Sequence, residues 1–318
     1  MLGADALAQG GWDMALVISE NFRALFYAPF YAAHAIGAYA AAGVDVQLRA
    51  SPSPAATAAA LWAGEADLMW GGPLRVILSH AENPESDLVC FADVVRRDPF
   101  FVIGRAPRPA FAMADLATAR LGVVSEVPTP WICLQQDLRL VGIEPARMAV
   151  VGGKTMAENA AALRAGTLDA VQIFQPYAEE LLREAGAHVW YAQASRGPTA
   201  YTMLVARRSV MARRAEEFRA VTQAIAETLR WFAATPASEV AGALRNFFPD
   251  VPTDVFAAAI ERYRALDLWC TDPRPNRGGF AWLHAAMRAA GALDRDIAYD
   301  LCVDPALAAQ AVGNAGGG

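Results

Sequence analysis

Lysine is almost missing from this chain: 26 of its 27 basic residues are arginine, and the remaining one is Lys154. Chemistry that needs a Schiff-base lysine therefore has a single candidate. Cysteine is sparse too. The four, at 90, 133, 270 and 302, form no C-x-x-C pair and have no histidine at ligand spacing, so a zinc site has no support and they read as buried free thiols. No G-x-S-x-G occurs, which leaves His34, His80, His188 and His284 without a nucleophile elbow. Gly152-Gly153-Lys154-Thr155 ends like a phosphate loop, but residue 148 is Met where that motif needs glycine, and the stretch reads as a strand-to-helix turn. No uncharged apolar run reaches the roughly 18 residues of a membrane-spanning helix. A net charge of −6 with no Lys/Arg cluster excludes a phosphate-tracking surface, so nucleic acid is not an expected partner.

What is present is apolar and long. The 318 residues are 55% hydrophobic and 19% charged, enough for a full interior and more than one core comfortably holds. Two lobes, or one large domain with insertions, are expected. At the start, Ala6-Leu7-Ala8 before Gln9 has the small-x-small form of an export cleavage site without the basic and apolar regions that precede one. It reads as the remnant of a truncated signal, the alternative being an ordinary unstructured end. Gly313 to Gly318 reads as a loose tail.

From Trp12 onward, strand and helix signals alternate. Ala15–Ile18 is a strand run, 29–43 a helix stopped by Gly43, Val44–Leu48 a strand, 55–63 a helix stopped by Gly64, and Asp67–Trp70 a strand entering Gly71-Gly72-Pro73. This is βαβαβ, hence α/β architecture with mainly parallel sheets. Ala60-Leu61-Trp62-Ala63-Gly64-Glu65-Ala66-Asp67 is echoed by Ala162-Leu163-Arg164-Ala165-Gly166-Thr167-Leu168-Asp169, each followed by a strand and a proline. The echo points to duplicated lobes sharing a crevice at their strand ends. A second unit starts near Phe101, Thr202–Ala206 reads as a strand returning to the first lobe, and only helices follow Arg213. Lobe one is thus expected at 12–100 and 201–318 and lobe two at 101–200, with crossovers near 98–103 and 198–203.

These elements, with the aromatic loop Phe22 to Tyr27, the stretch Gly37-Ala38-Tyr39 to Val46, the phrase Ala63 to Leu68 and Val171 to Tyr177, resemble the substrate-binding proteins of ABC importers. The resemblance covers roughly residues 12–235 and is strongest to the nitrate/sulfonate/taurine and thiamine-pyrimidine-precursor group. It implies a two-lobed periplasmic-binding-protein fold of type II, and a monomeric periplasmic protein that carries a small-molecule ligand to an ABC permease in the membrane. Relatives in that group include enzymes that make the thiamine pyrimidine with pyridoxal phosphate and a cysteine-rich iron motif. This sequence departs from them: its cysteines never cluster, and Lys154 falls outside the first lobe. Neither catalysis, a metal nor a cofactor is expected.

The candidate ligand residues sit where strands end. Ser125, Glu126 and Thr129 join a buried strand to a helix whose N-terminus faces the crevice. Glu126 there would accept from an amino group, or is a solvated cap residue. Trp70, Gly71 and Gly72 end the matching strand, and Arg75 offers a planar fork of donors unless a carboxylate neutralises it. Phe22, Phe26 and Tyr27 form a stacking platform, or staple the next helix. Gln175 and Tyr177 hold lobe two's crevice position, and Arg196, Thr199 and Tyr201 lie by the return crossover. Several rings with one Glu and neutral donors suit a flat nitrogen-containing ring. The alternative is a sulfonate on Arg75 and the Thr129 helix end.

Overall fold

A computed structural model describes residues 15–313, so the segment read above as the remnant of an export signal and the tail beyond Gly313 lie outside the described residues. Ten strands form two five-stranded sheets. In chain order they are β1 (Leu16–Glu20), β2 (Val46–Ala50), β3 (Leu68–Gly71), β4 (Leu88–Val95), β5 (Phe101–Gly104), β6 (Leu121–Val124), β7 (Val150–Lys154), β8 (Ala170–Ile173), β9 (His188–Ala192) and β10 (Thr202–Arg207). One sheet runs β2-β1-β3-β10-β4 and the other β7-β6-β8-β5-β9. Each is mixed: β10 is antiparallel to β3 and β4, and β5 is antiparallel to β8 and β9. In each sheet the antiparallel strand occupies the fourth position, and it is the strand by which the chain enters from the other sheet. The expectation of a mainly parallel sheet holds for the remaining strands.

The repeated phrase has a structural counterpart. Asp67 accepts from the Val17 backbone N–H at 2.8 Å and donates its own N–H to the Val17 carbonyl. Asp169 does the same with Arg120, accepting at 2.9 Å and donating to its carbonyl. Val17 and Arg120 each immediately precede the first paired residue of the neighbouring central strand. Gly64 and Gly166, which end the two preceding helices, have φ of 71° and 72°, a conformation that costs other residues energy.

Local chemistry explains most element ends. The expected helix at 29–43 is broken into Ala28–Ala35 and Ala38–Ala41 because Gly37 adopts φ 72° between them. Gly152-Gly153-Lys154 belongs to β7 rather than to a turn, and Thr155 caps the next helix by accepting from the Glu158 N–H. Among the helices that follow Arg213, one spans Ala237–Ala243. Strand β4 is wholly buried and apolar except for Asp93, and the C-terminal segment covers it: Val95 bridges Trp269 and Cys90 bridges Val303.

Helix Ala215–Ala234 packs on the first sheet's helices, while two later helices reach across to the second sheet's helices. Arg277–Ala289 packs against Thr129–Leu140, and Thr253–Arg264 against Tyr177–Glu184. Within the latter pair, Arg262 Nε donates to Glu179 at 2.9 Å. The Tyr263 hydroxyl donates to the Pro99 carbonyl and accepts from the Gln175 N–H, both at 3.1 Å.

Candidate functional site

The C-terminal ends of parallel strands from both sheets converge, the usual place for a ligand in open α/β sheets. After β1 come Asn21 and Phe22, after β2 Pro52–Pro54, after β3 Gly72–Arg75, after β6 Val127–Thr129 and after β8 Phe174. Two adjoining cavities lie among them, with Phe22 and Pro54 lining both. The wide outer one has a volume of about 760 Å³ and the inner one about 50 Å³. The inner volume holds about three waters, or the few atoms of a polar head group.

The outer cavity is walled by Phe22, Phe174, Tyr177, Phe247 and Phe248. Phe174 lies between sequence segments far apart in the chain. It stacks on Phe22 at 6.2 Å with a 23° interplanar angle, and meets Phe26 and Phe100 edge-on, each at 5.2 Å. Such faces suit an apolar or aromatic ligand body. Among its charged residues, Arg23 is engaged by Glu20 at 2.9 Å. Glu180 is partly buried, and burial and neighbouring Glu184 raise its pKa. Glu126 lines this cavity but is already engaged: its Oε1 accepts from the Met156 N–H at 2.8 Å, at the start of helix Met156–Arg164.

The inner cavity has polar groups among its lining residues. Arg75 is half-buried there, and no carboxylate pairs with it among the described residues. Burial alone lowers its pKa, so the charge is held without compensation. The expected alternative, neutralisation by a neighbouring carboxylate, is therefore not found. The same cavity is lined by Pro128 and Thr129 at the N-terminus of the twelve-residue helix Thr129–Leu140. Its first N–H groups carry the positive end of the helix dipole. Gly72, Tyr27 and Tyr201 complete this wall.

Of the twelve residues expected at the site, Phe22, Tyr27, Gly72, Arg75, Glu126, Thr129 and Tyr177 line one or both cavities. The other five do not. Trp70 is fully buried in the core, where Phe30 stacks on it at 4.8 Å and Tyr31 meets its edge at 5.3 Å. Gly71 is buried in β3 and lines neither cavity. Ser125 turns away and donates to the Lys154 carbonyl at 3.0 Å. Gln175 is fully buried and caps the next helix, accepting from the Glu179 N–H at 2.8 Å. Thr199 is fully buried where Gly279 presses on its backbone. Arg196, suggested beside the crevice, instead joins Asp98 and Asp137 in a buried cluster.

Residues missed by sequence reasoning include Asn21 and the segment Phe247–Val251. The second had only a local signal, Phe-Phe-Pro-Asp between two helices, and nothing placed it near Phe22. No lysine, cysteine or histidine lines either cavity, and all four cysteines are buried and free. Among the described residues no three His, Cys, Asp or Glu side chains group to hold a metal, and no helix is long and apolar enough to cross a membrane.

The NMT1/THI5-like family model matches residues 26–239, more than half of the chain. The chain belongs to the NMT1/THI5-like family. A Bacillus subtilis (strain 168) relative, YtlA, which is named as a binding protein, is 24% identical over 294 residues, covering 92% of this chain and 88% of that one. The periplasmic aliphatic sulphonate-binding protein SsuA from Escherichia coli superimposes with a TM-score of 0.72 at 18% identity, over 89% of this chain and 94% of that one. The desulfurization enzyme DszB superimposes with a TM-score of 0.70 at 15% identity, over 94% of this chain and 99% of that one. The NMT1/THI5-like chain thus has the type II periplasmic-binding-protein fold, in which both binding proteins and an enzyme are built.

Proposed function

We propose that this chain is the solute-binding component of an ABC importer, working in the periplasm as a monomer and delivering a small organic molecule to its permease. The moving units are residues 12–100 with 201–318, and residues 101–200. Contacts from both units convert binding into a shift towards the closed state. The ligand carries an anionic head on Arg75 and the Thr129 helix end, and an apolar body against the Phe22–Phe174 wall. One observation carries this reading: Arg75 lines the inner cavity, half-buried, without a carboxylate partner among the described residues. An uncompensated cation in a cleft favours an oxyanion, and its guanidinium fork suits bidentate pairing. The names of YtlA and SsuA agree with a binding role.

A second reading has its own support. The aromatic wall and the carboxylates of Glu126 and Glu180 in the same cavity favour a flat amino-heterocycle such as an aminopyrimidine. Calorimetric titration with benzenesulfonate, butanesulfonate and 4-amino-2-methylpyrimidine separates the two. Saturable one-to-one binding of a sulfonate without turnover supports the first reading; binding of the pyrimidine alone replaces it with the second.

A further inference from the structure

Helix Thr253–Arg264 follows β10 in the chain, in the first of the two units proposed above, yet it packs along helix Tyr177–Glu184 of the second. Polar contacts cross between the two in order along their length. At one end the Tyr263 hydroxyl bonds the Pro99 carbonyl and the Gln175 N–H, beside the first crossover. Next, Arg262 Nε reaches Glu179, whose side chain is buried and also lies 3.5 Å from Arg183 Nε. At the far end Arg183 holds Asp254 twice, donating from Nη1 to its carboxylate and from Nη2 to its backbone carbonyl at 3.1 Å.

Asp254 stands nine residues before Tyr263, about 13 Å along the helix axis. A rotation of one unit on the other about the crossovers, unless its axis lies along this helix, leaves Tyr263 nearly in place and carries Asp254 away from Arg183. The contact also joins the two sides of the outer cavity. Asp250 and Val251, just before the helix of Asp254, wall that cavity from the first unit, and Tyr177 and Glu180, on the helix of Arg183, wall it from the second. We propose that the Arg183–Asp254 pair is a latch that holds the two units together in the ligand-free protein, with Tyr263 at the pivot. The latch rests on the reading of two moving units given above. Its side chains are 36% and 74% exposed, so it is weak and screened by salt, as a contact that must release reversibly requires. A latched population also lowers the apparent affinity for any solute in proportion to the fraction that is open.

The test uses the full chain carrying nitroxide labels on Ala55→Cys and Ala157→Cys, exposed positions on helices of the first and second unit that flank the outer cavity. The four native cysteines are buried. Pulsed electron paramagnetic resonance reads the distance distribution without ligand and with benzenesulfonate. Arg183→Met and Asp254→Asn each break the latch, and Arg164→Met, which removes a pair with Glu184 inside the second unit, is the control. Thermal unfolding checks that each variant folds. Either latch variant is expected to raise the ratio of long to short distances about two- to fivefold without ligand, the double variant no further than either single one, and Arg164→Met to match wild type. If benzenesulfonate shortens the distances while both latch variants match wild type, the latch is overturned and the reading of two moving units stands. One unchanged distance in every sample, with and without benzenesulfonate, overturns the moving units and the latch with them. Equal shifts in the control and the latch variants also overturn the proposal, because they assign the change to loss of any surface charge.

Discussion

The Arg196 guanidinium donates from Nη1 to Asp98 Oδ2 at 2.8 Å, joining the segment by which the chain leaves the first sheet to the one by which it returns. The same side chain donates from Nε to Asp137 Oδ1 at 2.8 Å and lies 4.7 Å from the Trp282 ring. Gln193 Nε2 bonds the other side of this cluster, donating to Asp98 Oδ2 at 2.8 Å. Asp137 sits on helix Thr129–Leu140, whose first turn faces the inner cavity. Both crossovers are thus fastened to the helix that presents one wall of the site.

Removing the arginine leaves two buried carboxylates without their counter-charge. Arg196→Met is expected to destabilise the fold by about 3–5 kcal/mol, read as a lower urea midpoint with an unchanged slope. A loss below about 1 kcal/mol would show that the crossovers do not depend on this cluster.

Asp93 gives a pH signature. It is fully buried in β4, with Oδ1 bare and Oδ2 accepting from Arg96 Nε at 3.3 Å. Burial outweighs Arg96 and pushes its pKa up to about 7, from an ordinary value near 3.8. The folded state therefore holds this proton more tightly than the unfolded one. The resulting stability is fully present below about pH 3.8 and is lost as pH rises through about 7. Asp93→Asn is expected to flatten the decline in urea midpoint between pH 4.5 and 8, and an unchanged decline would assign it to other groups.

Much of the architecture was legible because it is written locally. The echoed helix–Gly–Asp–strand phrase marked two equivalent units, and Asp67 and Asp169 do make equivalent bonds to Val17 and Arg120. Cavity lining was legible only where position along a strand decides it, as for Phe22, Arg75 and Thr129. Trp70 failed because its fate depends on Phe30 and Tyr31, which a separate helix brings onto its ring. Gln175 failed because a capping bond to Glu179 competes with a ligand for the same side chain, and spacing does not say which wins. Likewise, nothing local could reveal that Arg75 has no carboxylate beside it.

Gly279 lets helix Arg277–Ala289 lie against the returning crossover. A Cβ there would meet the Ala200 nitrogen at 3.0 Å and Thr199 backbone atoms at 3.3 Å, none of which can swing aside as a side-chain tip can. Gly279→Ala is expected to cost about 1–3 kcal/mol by overpacking. Because the strain falls on a crossover, it should also change the radius of gyration difference between ligand-free and ligand-bound protein in small-angle scattering. An alanine variant with wild-type stability would mean that the helix shifts freely.

Arg75→Met separates stability from binding. Among the described residues the side chain forms no ion pair to lose, and its charge is held in a half-buried position, so the substitution is expected to leave the unfolding free energy within about 0.5 kcal/mol of wild type, or to raise it. Affinity for benzenesulfonate should fall about a hundredfold. A large loss of stability would point to a structural arginine and away from a ligand-binding one.

Glu126 distinguishes the two readings of the ligand because one of its oxygens is already committed. Its Oε1 accepts from the Met156 N–H, which a glutamine carbonyl can also do and an alanine cannot. Glu126→Ala should therefore cost about 1 kcal/mol through the loss of a helix-end bond, and Glu126→Gln much less. Binding then responds to charge alone in the glutamine variant. An organic anion seated at Arg75 should bind Glu126→Gln as well as wild type or more tightly, because a negative charge has left the cavity wall. An amino-heterocycle that donates to the free carboxylate oxygen should lose about tenfold. Titration of both ligand sets against wild type and the glutamine variant reads the difference directly: a sulfonate weakened by Glu126→Gln would contradict an anionic head at Arg75.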